Sequence, residues 1–243
     1  MMMTLNTHLN PSHSLVLIHG LYQSPIVMKV LGNRLKTLGY EVLYFKYPTI
    51  QREFSENVAD FAHFLQKVKT PYTIIGHSLG CLITKEALDT TVAISNKIDS
   101  ENQPSIPSSV IAITPPFKGS RIVGYLNDHH ADFLVGKAVH ALMPNPHSIH
   151  WEHPDIPLGV IAGTDHKGPS SLLLEKLTNT LQDDSILGDG TVYLDETEID
   201  GKSDFYTLHQ SHTKILFDPS LPDICDYFIK HGKFPKKTLI TEA

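Results

Sequence analysis

Tyr72-Thr73-Ile74-Ile75-Gly76-His77-Ser78-Leu79-Gly80 joins an apolar, strand-like run to a G-x-S-x-G pentapeptide, and an apolar helical pattern begins directly after it. Strand, glycine-flanked serine and helix, in that order, are the sequence form of a nucleophile elbow. The turn forces the serine into a strained conformation, and a Cβ at either flanking position would collide with the neighbouring strand or helix. Ser78 is therefore expected to stand exposed at a helix N-terminus. There the backbone N–H of Leu79 has no intrahelical partner and can face a developing oxyanion. The bare pentapeptide is a common chance match; its strand-and-helix setting is what gives it weight.

Outward from this stretch, strands and helices alternate. Residues 14–20 form a continuous β-type run ending in Gly20, as in a strand buried on both faces of a parallel sheet. Ser24 as N-cap, Pro25 at the first helical position and Gly39 at the end bound a helix whose apolar positions are Val27, Val30, Leu31, Leu35 and Leu38. A strand over 41–47 stops at Pro48. The next helix is placed from Ser55, with Phe54 just before its cap and Val58, Ala59, Phe61, Ala62 and Leu65 on its buried face. After the elbow come a helix over 79–90, a solvated loop over 95–109 and a strand over 110–113. The pattern breaks between Pro115 and Pro157, where Pro, Gly and histidines surround one apolar helical segment over 133–142. A strand over 158–162, a helix over about 171–181, a short strand over 205–208 and a closing helix over 221–231 before Gly232 complete the chain. This spacing predicts an α/β fold with a mostly parallel sheet covered by helices on both faces. Residues 1–243 are read as one domain, with a small cap insertion at about 120–157.

The 243 residues are 41% hydrophobic, which suffices for a sizeable core. A net charge of -6 without a basic cluster argues against nucleic acid or an anionic membrane as the main partner and favours a neutral or apolar small molecule. Cys81 and Cys225 lie far apart and form no C-x-x-C pattern, which suits a reducing compartment. The first residues have no charged n-region followed by an apolar stretch, and no apolar run is long enough to span a bilayer. We therefore expect a cytoplasmic protein with no transmembrane segment.

A serine hydroxyl is a poor nucleophile near neutral pH and needs a base, an acid that orients the base, and oxyanion donors. In this topology the order is serine, acid, histidine, so both partners lie after Gly80. His212, in Gln210-Ser211-His212-Thr213 after the last strand, is the first choice of base, with His209 as competitor. Asp189, in the tight turn Gly188-Asp189-Gly190-Thr191-Val192, is the first choice of acid. Asp165, just after the strand over 158–162, is its rival. Asp195, Glu196 and Glu198 read as a solvated charge run. The second oxyanion donor is assigned to the N–H of Leu21 in His19-Gly20-Leu21-Tyr22, with His19 bracing the loop rather than reacting. His147, His150 and His153 recur at intervals of three, but Pro144, Pro146 and Pro154 disfavour a helix there and no further ligand falls at a recognised spacing. No metal and no cofactor is expected.

Val16-Leu17-Ile18-His19-Gly20-Leu21, the elbow, Thr114-Pro115-Pro116-Phe117-Lys118-Gly119-Ser120, Asp189-Gly190-Thr191-Val192 and Ser211-His212-Thr213 together resemble the α/β-hydrolase superfamily. Within it they look like the bacterial lipase and esterase group that carries a T-P-x-x-G-S segment after the strand following the elbow and its acid in D-G-x-V. The resemblance spans about residues 15–235. It implies Ser78 as nucleophile, Asp189 as acid, His212 as base, and Leu21 with Leu79 as oxyanion donors. Cys81 stands where the group usually has a second glycine, and Pro116 with Phe117 replaces smaller or polar residues, so substrate preference does not carry over. The short insertion implies an esterase with a small cap, acting on a small-molecule or lipid ester, rather than an interfacial lipase. An acyltransferase or thioesterase using the same residues, and a hydrolase-like binding module without turnover, remain open alternatives.

Overall fold

The computed structural model describes residues 13–69, 71–95, 105–145, 147–166 and 187–236. Six strands form one parallel sheet: β1 (Ser14–Ile18), β2 (Glu41–Phe45), β3 (Tyr72–His77), β4 (Ser109–Ile113), β5 (Leu158–Gly163) and β6 (Asp204–Leu208), in the order β2-β1-β3-β4-β5-β6. The described helices are α1 (Pro25–Thr37), α2 (Phe54–Leu65), α3 (Leu79–Ser95), α4 (Arg121–Asp128), α5 (Val139–Leu142) and α6 (Leu221–His231). The helix expected over 171–181 lies outside the described residues.

Strand alternation splits the interior into two cores, because successive side chains point to opposite faces. Val16, Ile18, Ile74, Val110, Ala112 and Val160 share one core with α2 and α3. Leu15, Leu17, Ile75, Ile111, Ile113 and Ile161 share the other with α1 and α6, including Met28, Leu35, Ile224 and Phe228. Each fully buried aliphatic side chain contributes about 1.5–3 kcal/mol, so burial on both sides fixes the strand register. The strand order reverses at β1, which leads away to β2 while β3 lies on its other side. Loops leaving the C-terminal ends of β1 and β3 therefore diverge and leave a crevice, the place where open α/β sheets bind ligands. Gly20 and Ser78 stand at those two ends.

Three stretches of the chain differ most from the sequence reading. In α1 the buried positions are Met28, Leu31, Gly32 and Leu35, while Val30 and Leu38 face solvent. Gly32 is the cause: a Cβ there would lie 2.2 Å from the Tyr44 hydroxyl, so the bare glycine lets that side chain from β2 lie against the helix. In α2 the cap is Glu53, not Ser55; its backbone N–H donates to Glu56 Oε2 at 3.0 Å in a reciprocal capping box. Third, α4 was not expected, and the segment over 133–142 is not one helix. It is broken into 3₁₀ turns, Asp132–Leu134 and Gly136–Ala138, followed by α5. Gly136 adopts φ 65°, and a Cβ on it would stand 2.5 Å from the Ile50 carbonyl oxygen, so the close approach to the 48–53 loop interrupts the helix. Among the described residues no helix is long and apolar enough to cross a membrane.

The rotated face of α1 is directly testable. Leu35→Ala is expected to cost about 2–5 kcal/mol in urea unfolding, whereas Val30→Ala stays within about 0.5 kcal/mol of the parent. Equal losses would restore the face inferred from the sequence.

Candidate active site

Ser78 sits between the last residue of β3 and the first of α3 with φ 52°. A left-handed backbone at a non-glycine residue costs on the order of 1–3 kcal/mol and persists only where surroundings enforce it. Here the Ser78 N–H donates to Ile113 O at 3.0 Å and the Cys81 N–H donates to Ser78 O at 2.9 Å, pinning the turn on both sides. The approach of neighbouring loops explains two glycines. A Cβ on Gly80 would lie 2.7 Å from His19 O, and one on Gly20 would lie 2.9 Å from Ser78 Cβ. At the base of the crevice the loops after β1 and β3 thus start in close contact beside Ser78. Cys81 packs beneath the turn, 2% exposed, and its burial pushes the thiol pKa up, which keeps it unreactive.

Asp189 and His212 are brought together. Asp189 Oδ1 accepts the N–H groups of Thr191 at 2.9 Å and Val192 at 2.8 Å, while Oδ2 receives the His212 ring Nδ1 at 2.7 Å. The glycine-flanked turn therefore immobilises the carboxylate through its own following amides. A backbone bond from His212 N–H to Asp189 O at 2.9 Å ties the two loops a second time. A carboxylate on Nδ1 places the imidazole proton there and leaves the Nε2 lone pair as the basic site. Asp165 donates its N–H to Gln210 O at 3.2 Å, and exposed His209 places Nδ1 3.5 Å from Thr164 Oγ1.

The loop after β1 is held from three directions. Gly20 N–H donates to Gln23 Oε1 at 3.0 Å, Tyr22 N–H donates to Thr49 Oγ1 at 3.1 Å, and Tyr22 itself adopts φ 58°. Tyr47 donates its hydroxyl to His19 O at 2.7 Å and stacks on the His19 ring at 4.5 Å. His19 is wholly buried, which lowers its pKa and keeps the ring neutral. The amides of Leu21 and Leu79 make no hydrogen bond to another described residue. Gln23, Tyr47 and Thr49 escaped the sequence reading, because only the folded meeting of three loops gives them a role. The histidines at intervals of three diverge: His153 Nε2 meets Asp89 Oδ1 at 2.7 Å and His150 lies 3.7 Å from Asp200. Among the described residues no cluster of three or more His, Cys, Asp or Glu side chains could hold a metal ion.

No protein-family model matches the chain, and no curated protein matches it. Solved structures do. A lipase of Bacillus licheniformis in mature form superposes with a TM-score of 0.67 at 17% identity, covering 88% of this chain and 91% of that one. A pyrethroid hydrolase of Sphingobium faniae gives 0.55 at 13% identity, with 91% and 98% covered. The ydeN gene product of Bacillus subtilis gives 0.53 at 14%, with 90% and 100% covered. The chain has the α/β-hydrolase fold. At these identities the likeness speaks for architecture alone.

On this hydrolase fold Glu196 is not part of a solvated charge run. It is 3% exposed, and its carboxylate accepts the N–H of Arg121 at 2.7 Å and of Tyr193 at 2.9 Å, joining the segment after Asp189 to the start of α4. Burial pushes its pKa up to about 7 from 4.5, against those two amides and the Arg121 charge, which pull it down. The folded state therefore holds a proton between about pH 4.5 and 7 that the unfolded state has lost, and stability falls as pH rises through that window. The full effect is on the order of 3 kcal/mol. Glu196→Gln cannot titrate, so its stability deficit relative to the parent is expected to shrink by about that amount from pH 5 to pH 8. A constant deficit across this range in urea unfolding would show that the carboxyl titrates normally.

Proposed function

We propose that the protein is a serine hydrolase of carboxylic esters that works through an acyl-enzyme on Ser78. The observation that carries this reading is the 2.7 Å bond between Asp189 and His212, in a site where Ser78 is held left-handed at the sheet's switch point. In this mechanism Ser78 Oγ attacks the ester carbonyl carbon as His212 Nε2 takes its proton, and the carbonyl electron pair moves onto oxygen. The N–H groups of Leu21 and Leu79, which have no partner among the described residues, receive that oxyanion, and preorganised amides of this kind lower the barrier by about 3–4 kcal/mol per donor. Collapse expels the alkoxide, which takes the proton from His212. Water then enters, gives its proton to the same nitrogen and releases the acid by the reverse sequence. Asp189 stays ionised throughout, holding the ring orientation and favouring the transient imidazolium.

We read residues 120–157 as a small cap. Val135, Ala138, Val139 and Leu142 pack into the same core as Leu79, Leu82 and Phe117, while Phe133 and Leu134 remain exposed. The 3.2 Å bond from Lys137 N–H to Ile50 O and the ion pair of Lys137 with Glu53 seat it on the 48–53 loop. A cleft of about 740 Å³ runs between this segment, α2 and α3, with Leu82, Phe117 and Met143 among its walls. Ser78, Asp189 and His212 do not line this cleft, so its size sets no limit on the acyl chain.

The roles are separable by substitution. Ser78→Ala is expected to remove ester turnover, and Asp189→Asn to lower kcat by roughly 10⁴-fold through the wrong histidine tautomer, with Asp165→Asn close to the parent. Severe loss in Asp165→Asn with activity kept in Asp189→Asn would transfer the acid's role to Asp165.

A further inference from the structure

Besides Asp189, a second side chain among the described residues grips the base, and it comes from the elbow. His77, adjacent to Ser78 and wholly buried, has its Nε2 2.9 Å from the carbonyl oxygen of His212, and the two rings pack at 4.9 Å between centroids. A carbonyl only accepts, so the His77 proton resides on Nε2. We propose that His77 is a positioning residue: its Nε2–H holds the His212 loop to the nucleophile elbow and so sets the approach of base to serine. This rests on the serine-hydrolase reading above.

The remaining contacts explain why a histidine serves there. Burial, together with the His212 and His19 rings, drives the His77 pKa down to about 3. A neutral ring is needed, since a second cation would oppose the imidazolium that forms on His212 during acyl transfer. With the proton on Nε2, the Nδ1 lone pair of neutral His77 lies 3.0 Å from the Gln23 amide oxygen Oε1, a contact between two acceptors that packs the side chains together without a hydrogen bond. That amide also serves Gly20 N–H at 3.0 Å and reaches Thr213 Oγ1 at 3.4 Å. Gln23 Oε1 accepts from Gly20 N–H while its NH₂ reaches Thr213, so Gln23 ties the loop after β1 to the residue after the base and packs against the elbow histidine. The hydrogen bond that registers the base loop on the elbow is the one from His77 Nε2–H to His212 O, and His77 itself does not react.

Phenylalanine at 77 preserves the ring contact but removes the donor, whereas glutamine places an amide N–H near the position of Nε2. In p-nitrophenyl acetate hydrolysis, His77→Phe is expected to lose about 10- to 100-fold in kcat, the scale of a misplaced catalytic group, with KM within about twofold. His77→Gln is expected to recover most of that loss. The rate of Ser78 labelling by a fluorophosphonate is expected to follow the same order. Parent-like kcat and labelling in His77→Phe would overturn the proposal, as would equal losses in the Phe and Gln variants that track a fall in melting temperature. If His77→Phe does not fold, His77→Met, which also lacks the donor, takes its place: full kcat there overturns the proposal. A parent protein that turns over ester without labelling at Ser78 would instead overturn the functional reading beneath it.

Discussion

The left-handed backbone at Ser78 is the constraint on which the rest of the site depends. It turns a strand into a helix within one residue, so the serine side chain leaves the sheet at the C-terminal edge while the next amide stays free of the helix ladder. Such a turn is stable here because β1 and β4 flank it, with Ile113 O accepting the serine amide and His19 O and Ile18 O lying against bare Gly80. Its strain is offset by packing in the two cores on either side of the sheet.

From that turn outward, the site is a set of short tethers between loops that are distant in sequence. Asp189 is locked by its own turn before it meets His212, so the acid is preorganised and does not depend on the histidine for its position. His212 is then held on its ring, its amide and its carbonyl, the last of these by His77. The loop after β1 is fastened by Tyr47, Thr49 and Gln23, with Gly20 lying against Ser78. Loops that must hold a geometry against thermal motion are over-determined in this way at sites built for preorganised charge.

Much of this was legible in the sequence where the signal is local. Glycine-flanked Ser78, the Gly188-Asp189-Gly190 turn and the alternating strands each declare themselves within a few residues, and the sheet and closing helix follow the expected pattern. Pairing of Asp189 rather than Asp165 with His212 was preferred on turn chemistry, and the geometry brings those two side chains together. What escaped notice depends on contact at a distance. Gly32 turns α1 because Tyr44 leans on it, Gly136 breaks the cap helix because Ile50 approaches, and Glu196 is buried because α4 folds over it. α4 itself is hidden by Gly124 and its polar end at Asn127 and Asp128, and Gly124 is there because a Cβ would meet the Pro144 ring at 2.9 Å.

The central claim is that one serine carries the acyl group, and rapid quenching of the p-nitrophenyl acetate reaction followed by peptide mapping tests it most directly. The account predicts a single acetyl group on Ser78, which builds up before steady state and is discharged by water. An acetyl group on another residue, or turnover that proceeds with no covalent intermediate on Ser78 at any time, would contradict it.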